Sequence, residues 1–111
     1  MIYLVICDQQ WGMVKFSQSM ALDAETMTEK RALPPGTTIG TDFSEIRFDE
    51  LARSMGAHGE RVERARELQP ELERCLASGK PAVVHVDVDP VEHLWAPGLE
   101  VFKKMHLEPG A

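Results

Sequence analysis

Residues 1–14 read MIYLVICDQQWGMV, and the fold class follows from how the first half of this stretch is taken. Ile2–Cys7 is apolar or nearly so at every position, with no alternation of wet and dry residues. Such a run predicts a strand buried on both faces, the habit of parallel sheets flanked by helices. It stops abruptly in Asp8-Gln9-Gln10-Trp11-Gly12, which predicts a turn and a helix starting near Trp11 or Gly12. That helix is expected to carry Met13, Val14 and Phe16 inward.

Outward from this stretch, residues 21–42 mix residue types around Pro34-Pro35-Gly36, which forbids regular structure there and predicts a long loop. Phe48, Leu51, Ala52 and Met55 fall at i, i+3, i+4 and i+7, one face of a helix that Gly56 stops. His58–Val62 is a candidate strand. Leu68, Leu72, Cys75 and Leu76 repeat at helical spacing with Pro70 in the first turn and Gly79 as the stop; Cys75 lies on the inward stripe. Ala82–Val88 is the strongest strand, its even positions apolar and His85 and Asp87 on the other face with Val83. A tail follows, in which Leu99, Phe102 and Met105 or His106 keep helix-like spacing.

The order strand, helix, loop, helix, strand, helix, strand predicts parallel pairing through right-handed crossovers, hence an α/β parallel-sheet layered sandwich. Ligands in such sheets sit beyond the carboxyl ends of the strands, and Asp8 to Gly12 occupies such an end.

The chain's 111 residues suit one small domain with a modest core. A formal net charge of −6 argues against a nucleic-acid footprint. Cys7 and Cys75 are isolated thiols, which makes a reduced cytoplasmic setting the default. Ile2–Cys7 is too short to span a bilayer and lacks the flanks of a signal peptide; no membrane partner is expected.

At the first strand end, a carboxylate followed by turn carbonyls offers the hard oxygen ligands that suit Mg²⁺. The amides opening the next helix suit an anion such as diphosphate. On spacing alone a plainer reading stays open, with Asp8 as a helix cap and Gly12 as a turn residue. His85 and Asp87 share a strand face, yet no third metal ligand is indicated beside them. Lys15 and Gln18 face either the mouth of a site or solvent.

The segment LVICDQQWGMVKFSQ, residues 4–18, resembles the second half of the thiamine diphosphate signature of acetolactate synthase-like enzymes. In that family a Gly-Asp-Gly segment and a spacer precede a buried strand ending in Asn-Asn or Asn-Asp, often with Trp-Gly-Met or Gln-Gly-Met after it. Residues 42–90, DFSEIRFDELARSMGAHGERVERARELQPELERCLASGKPAVVHVDVDP, are similar to the family's closing pattern. The resemblance implies that Asp8 binds Mg²⁺ through its side chain and Gln10 through its backbone carbonyl. It implies that Trp11, Gly12 and Met13 line the turn beside the cofactor, and it makes His58-Gly59-Glu60 a connecting turn.

Cys7 departs from the family, which usually has Asn there. No Gly-Asp-Gly occurs in the chain, nor any counterpart of the separate pyrimidine-binding domain with its activating glutamate. Residues 1–90 are therefore expected to be the C-terminal half of a thiamine diphosphate-binding domain, and 91–111 a lid or docking arm in which Trp95 and Phe102 are candidate anchors. The implied parent decarboxylates or ligates 2-oxo acids, while this piece is inactive alone, binds the cofactor and Mg²⁺ weakly or not at all, and self-associates through its apolar strand. The alternative is a stand-alone, non-catalytic α/β binding or interaction module.

Overall fold

The computed structural model describes residues 1–22, 33–34, 36–92, 101 and 105. Its elements are β1 (Ile2–Cys7), α1 (Gly12–Leu22), α2 (Phe48–Ser54), β2 (His58–Val62), α3 (Leu68–Ala77, entered through a 3₁₀ turn at Ala65–Glu67) and β3 (Ala82–Asp87). They divide into two compact units, one of Met1–Asp8 with Glu45–Val88 and one of Gln9–Ser44 with Asp89–Ala111.

The first unit is an α/β sandwich around a parallel sheet of order β1-β3-β2. Each β3 residue from Ala82 to Val86 has a partner on both sides, Ile2 to Ile6 on β1 and His58 to Val62 on β2. Val62, Cys75, Ala82 and Val84 form the core, with Ile2, Leu68, Leu72 and Val86 packed against it on the α3 side. Alternation puts Gly59, Arg61 and His85 on the opposite face, where α2 lies. Gly59 admits α2 because it has no side chain, since a Cβ there would stand 2.1 Å from the Asp49 carbonyl oxygen. Gly56 ends α2 at φ +81, a left-handed conformation that a glycine adopts without steric penalty.

Three expectations need correction here. β1 is an edge strand, with Tyr3, Leu4 and Ile6 exposed, because among the described residues β3 alone pairs with it. On α2 Ala52 is buried as expected, but Leu51 and Met55 are exposed and Asp49 is buried instead. The helix turns its carboxylate inward because Arg47 and Arg53 bracket it, with Arg47 Nε and Nη2 at 3.0 and 2.7 Å and Arg53 Nη2 at 2.9 Å. His58-Gly59-Glu60 is strand, not turn, as its composition had suggested.

In the second unit α1 buries Phe16 and Ser19, while Met13 is 80% exposed and Val14 also faces outward. The inward face runs through Gly12, Lys15, Phe16 and Ser19, a helical spacing rotated from the expected one. α1 reaches Leu22, one turn's edge into the segment expected to be loop. The segment from Thr37 to Phe43 is ordered by local bonds: the Thr37 N–H and hydroxyl both donate to the Pro34 carbonyl, and the Thr38 and Thr41 hydroxyls pair at 2.6 Å. Trp95 and Phe102, the expected anchors of the tail, lie outside the described residues.

Candidate functional site

β1 ends where its partner ends. Cys7 pairs with Asp87, and the Val88 N–H donates to the Cys7 carbonyl at 3.1 Å. Asp8, half-buried, closes the first unit. Gln9 opens the second with φ +59, the only positive φ at a non-glycine among the described residues. A non-glycine side chain in this region costs on the order of 1 kcal/mol and persists only where its surroundings hold it.

What holds it is an antiparallel bridge between Gln10 and Asp42. The Phe43 N–H donates to the Gln9 carbonyl at 2.9 Å, and the Trp11 N–H donates to the Thr41 carbonyl at 2.8 Å. The two bridge bonds thus use the carbonyl before Gln10 and the amide after it. The Gln10 side chain is buried and donates through Nε2 to the Pro90 carbonyl at 2.9 Å, which fixes its backbone further. Trp11 meets Phe43 edge to face at 5.2 Å, and its carbonyl accepts the Lys15 N–H at 2.8 Å, so α1 begins at Gly12. No acidic residue stands in the first turn of α1.

A second polar constellation lies at the carboxyl ends of β2 and β3. His85 is fully buried. The Phe48 N–H, at the start of α2, donates to its Nδ1 at 3.2 Å. Nδ1 is therefore the acceptor and Nε2 carries the proton, which goes to Asp87 Oδ1 at 2.9 Å. Asp87 Oδ2 accepts from Arg61 Nε at 2.7 Å, and Arg61 Nη1 reaches Glu45 at 2.9 Å. Burial resists the charge on Asp87, but the hydrogen bonds from Arg61 and His85 prevail and hold its carboxyl below the usual range. The same Asp87 bond raises the Arg61 guanidinium above its ordinary value. Both ring nitrogens of His85 are committed, and no group of metal-ligating side chains occurs among the described residues. This chain of bonds fixes the start of α2 to β3; it is not a metal centre.

The structure therefore brings Gln10, Trp11, Gly12 and Met13 onto one turn and helix start, with Asp8 next along the chain at the strand end. Sequence reasoning placed Gln18 at the mouth of a site or in solvent, whereas it grips the loop beside this turn; it missed Asp49, which arginines two residues before and four after bracket.

Residues 1–86 match the family described as thiamine pyrophosphate enzyme, C-terminal TPP binding domain. The chain belongs to that family. Over 80 residues it is 41% identical to a probable acetolactate synthase of Mycobacterium bovis and, to the same extent, to the acetolactate synthase large subunit IlvG of Mycobacterium tuberculosis. Those alignments take in 72% of this chain but 12% of each relative, so the chain spans a small part of the proteins it matches. No solved structure matches it significantly. This is a thiamine diphosphate-binding domain of the acetolactate synthase-like kind, and the turn at residues 8–13 lies within the matched segment. Among the described residues no helix is long and apolar enough to cross a membrane.

Proposed function

We propose that residues 8–13 of this thiamine diphosphate-binding domain form part of a Mg²⁺–diphosphate clamp in an enzyme that decarboxylates or ligates 2-oxo acids. Asp8 supplies a carboxylate oxygen and Gln10 a backbone carbonyl, hard donors suited to Mg²⁺. The amides opening α1 at Gly12 and Met13 face the diphosphate, with Trp11 beside it. The observation that carries this reading is the left-handed Gln9 turn at the carboxyl end of β1, held by its bridge to residues 41–43. Thiamine diphosphate, when bound, supplies the electron sink for breaking or making the bond next to a carbonyl. The residues of this chain hold and orient; none of them transfers a proton to substrate.

Residues 1–90 act as the C-terminal half of the diphosphate-binding domain, with 91–111 as a tail, and firm retention of the cofactor requires the Gly-Asp-Gly segment that these 111 residues do not contain. Two observations support this: the small share of each relative that the chain spans, and the open edge of β1 with Tyr3, Leu4 and Ile6 exposed. An uncharged edge strand without proline or bulge is a template for pairing, so the chain by itself associates with a second copy through β1. Calorimetry of the chain with thiamine diphosphate and Mg²⁺ tests the reading. Weak or no heat of binding is expected; sub-micromolar affinity would contradict the need for further segments.

A further inference from the structure

We infer that Gln18 is a positioning residue for the Gln9–Gly12 turn, acting at a distance through the loop segment 39–43, with Lys15 as a second and weaker tie. The inference rests on the reading that this turn carries the cofactor, and it assigns the turn's geometry to a side chain outside it.

Trp11, Lys15 and Gln18 stand at i, i+4 and i+7, one ridge along the start and first turns of α1. The loop runs along this ridge in the opposite direction, so that Phe43 meets Trp11, Asp42 meets Lys15, and Ile39 meets Gln18. The three contacts differ in kind. Lys15 Nζ reaches Asp42 Oδ1 at 2.6 Å, but the Asp42 side chain is 65% exposed, so solvent and salt weaken the pair. The Gln18 amide makes two directional bonds to one residue: Nε2 donates to the Ile39 carbonyl at 3.0 Å and Oε1 accepts the Ile39 N–H at 2.7 Å. At neutral pH a primary amide can give and take in this way where a carboxylate cannot, and it does what a neighbouring strand's backbone would do.

The far end of the same segment is what holds the turn. Thr41 accepts from Trp11, and Phe43 donates to Gln9, whose φ of +59 is unfavourable without that support. The Thr38–Thr41 hydroxyl bond stiffens the stretch between the two ends. Gln18 therefore sets where the 39–43 segment lies along α1, and that segment sets the Gln9 backbone.

The test uses amide spectra of the 111-residue chain, wild type against Gln18→Ala and Gln18→Glu, with exchange protection measured first and a titration with thiamine diphosphate and Mg²⁺ second. Gln18→Ala is expected to lower protection of the Trp11 and Phe43 amides tenfold or more, to leave Val84 and Val86 unchanged, and to shift the titration midpoint upward at least threefold. Gln18→Glu keeps the acceptor and loses the donor, so it behaves like Gln18→Ala at neutral pH. It recovers as the pH falls through the ordinary glutamate range near about 4.3, where the protonated carboxyl again donates; a residue that merely fills space would show no such recovery. Unchanged protection at Trp11 and Phe43 in Gln18→Ala overturns the inference, as does lost protection with an unmoved midpoint. If the bridge amides respond but the wild-type titration shifts centre away from Asp8–Met13, the Gln18 tie stands and the cofactor reading is the one refuted.

Discussion

β1 and β3 are parallel neighbours of six residues each, and on composition β1 is the more apolar of the two. Yet Val84 on β3 is 0% exposed, while Ile6 on β1 is 61% exposed. β3 lies between two strands and under two helices, and it buries a histidine among its valines; β1 has one strand beside it and leaves tyrosine, leucine and isoleucine in the open. Burial is thus a property of neighbours, not of residue type. An apolar strand left open at an edge indicates surface that another strand would cover.

The sharpest way to break this contrast is the same truncation on both strands. Val84→Ala should destabilise the domain by about 2–3 kcal/mol, the usual range for opening a cavity in a packed core. Ile6→Ala should cost less than about 1 kcal/mol, because much of that side chain is already in water. Urea midpoints measure both, and equal losses would refute the contrast.

The polar side of β3 gives the next effect. His85→Leu keeps bulk but strands the Phe48 N–H and removes a donor from Asp87. A cost of about 2 kcal/mol is expected, with exchange protection lost first at Phe48. A variant as stable as wild type would mean the histidine is mere filling.

Acid titration probes the α2 face of β3. The Arg47 hydrogen bonds, aided by Arg53 and opposed by burial, hold the Asp49 carboxyl well below the usual range. A folded-state value below the unfolded one means that the unfolded chain takes up the proton first. Asp49 therefore contributes stability above about pH 4, and that stability drains away as the pH drops further. Thermal midpoints should fall across this range in wild type and fall less in Asp49→Asn.

The smallest change in folding stability belongs to the β1 edge. Ile6→Lys should leave the urea midpoint within about 0.5 kcal/mol while shifting the sedimentation profile toward monomer. Undiminished association would place the contact elsewhere.

Much of this architecture was legible beforehand. β3 announced itself by alternation, α3 by its leucine spacing and α2 by its Gly56 stop, because each rests on local periodicity. The orientations of α1 and α2 were not legible. Asp49 lies off the apolar spacing of α2 and is buried because the two arginines that neutralise it come together around it, and Met13 and Val14 looked like core until the 39–43 segment took the Lys15 and Gln18 ridge. Both are tertiary outcomes that an apolar count along one helix does not contain. At the candidate site the residues Asp8 to Met13 were visible in the sequence, but the strained Gln9 backbone and the Gln18 grip were not, since neither leaves a periodic mark.

The central claim is that the turn after β1 is where this domain meets Mg²⁺ and the cofactor's diphosphate. Mapping amide shifts of the chain during titration with thiamine diphosphate, with and without Mg²⁺, tests it most directly. The account predicts weak, Mg²⁺-dependent shifts centred on Asp8–Met13 that vanish in Asp8→Ala. Shifts centred elsewhere, independent of Mg²⁺, or unchanged by Asp8→Ala would contradict it.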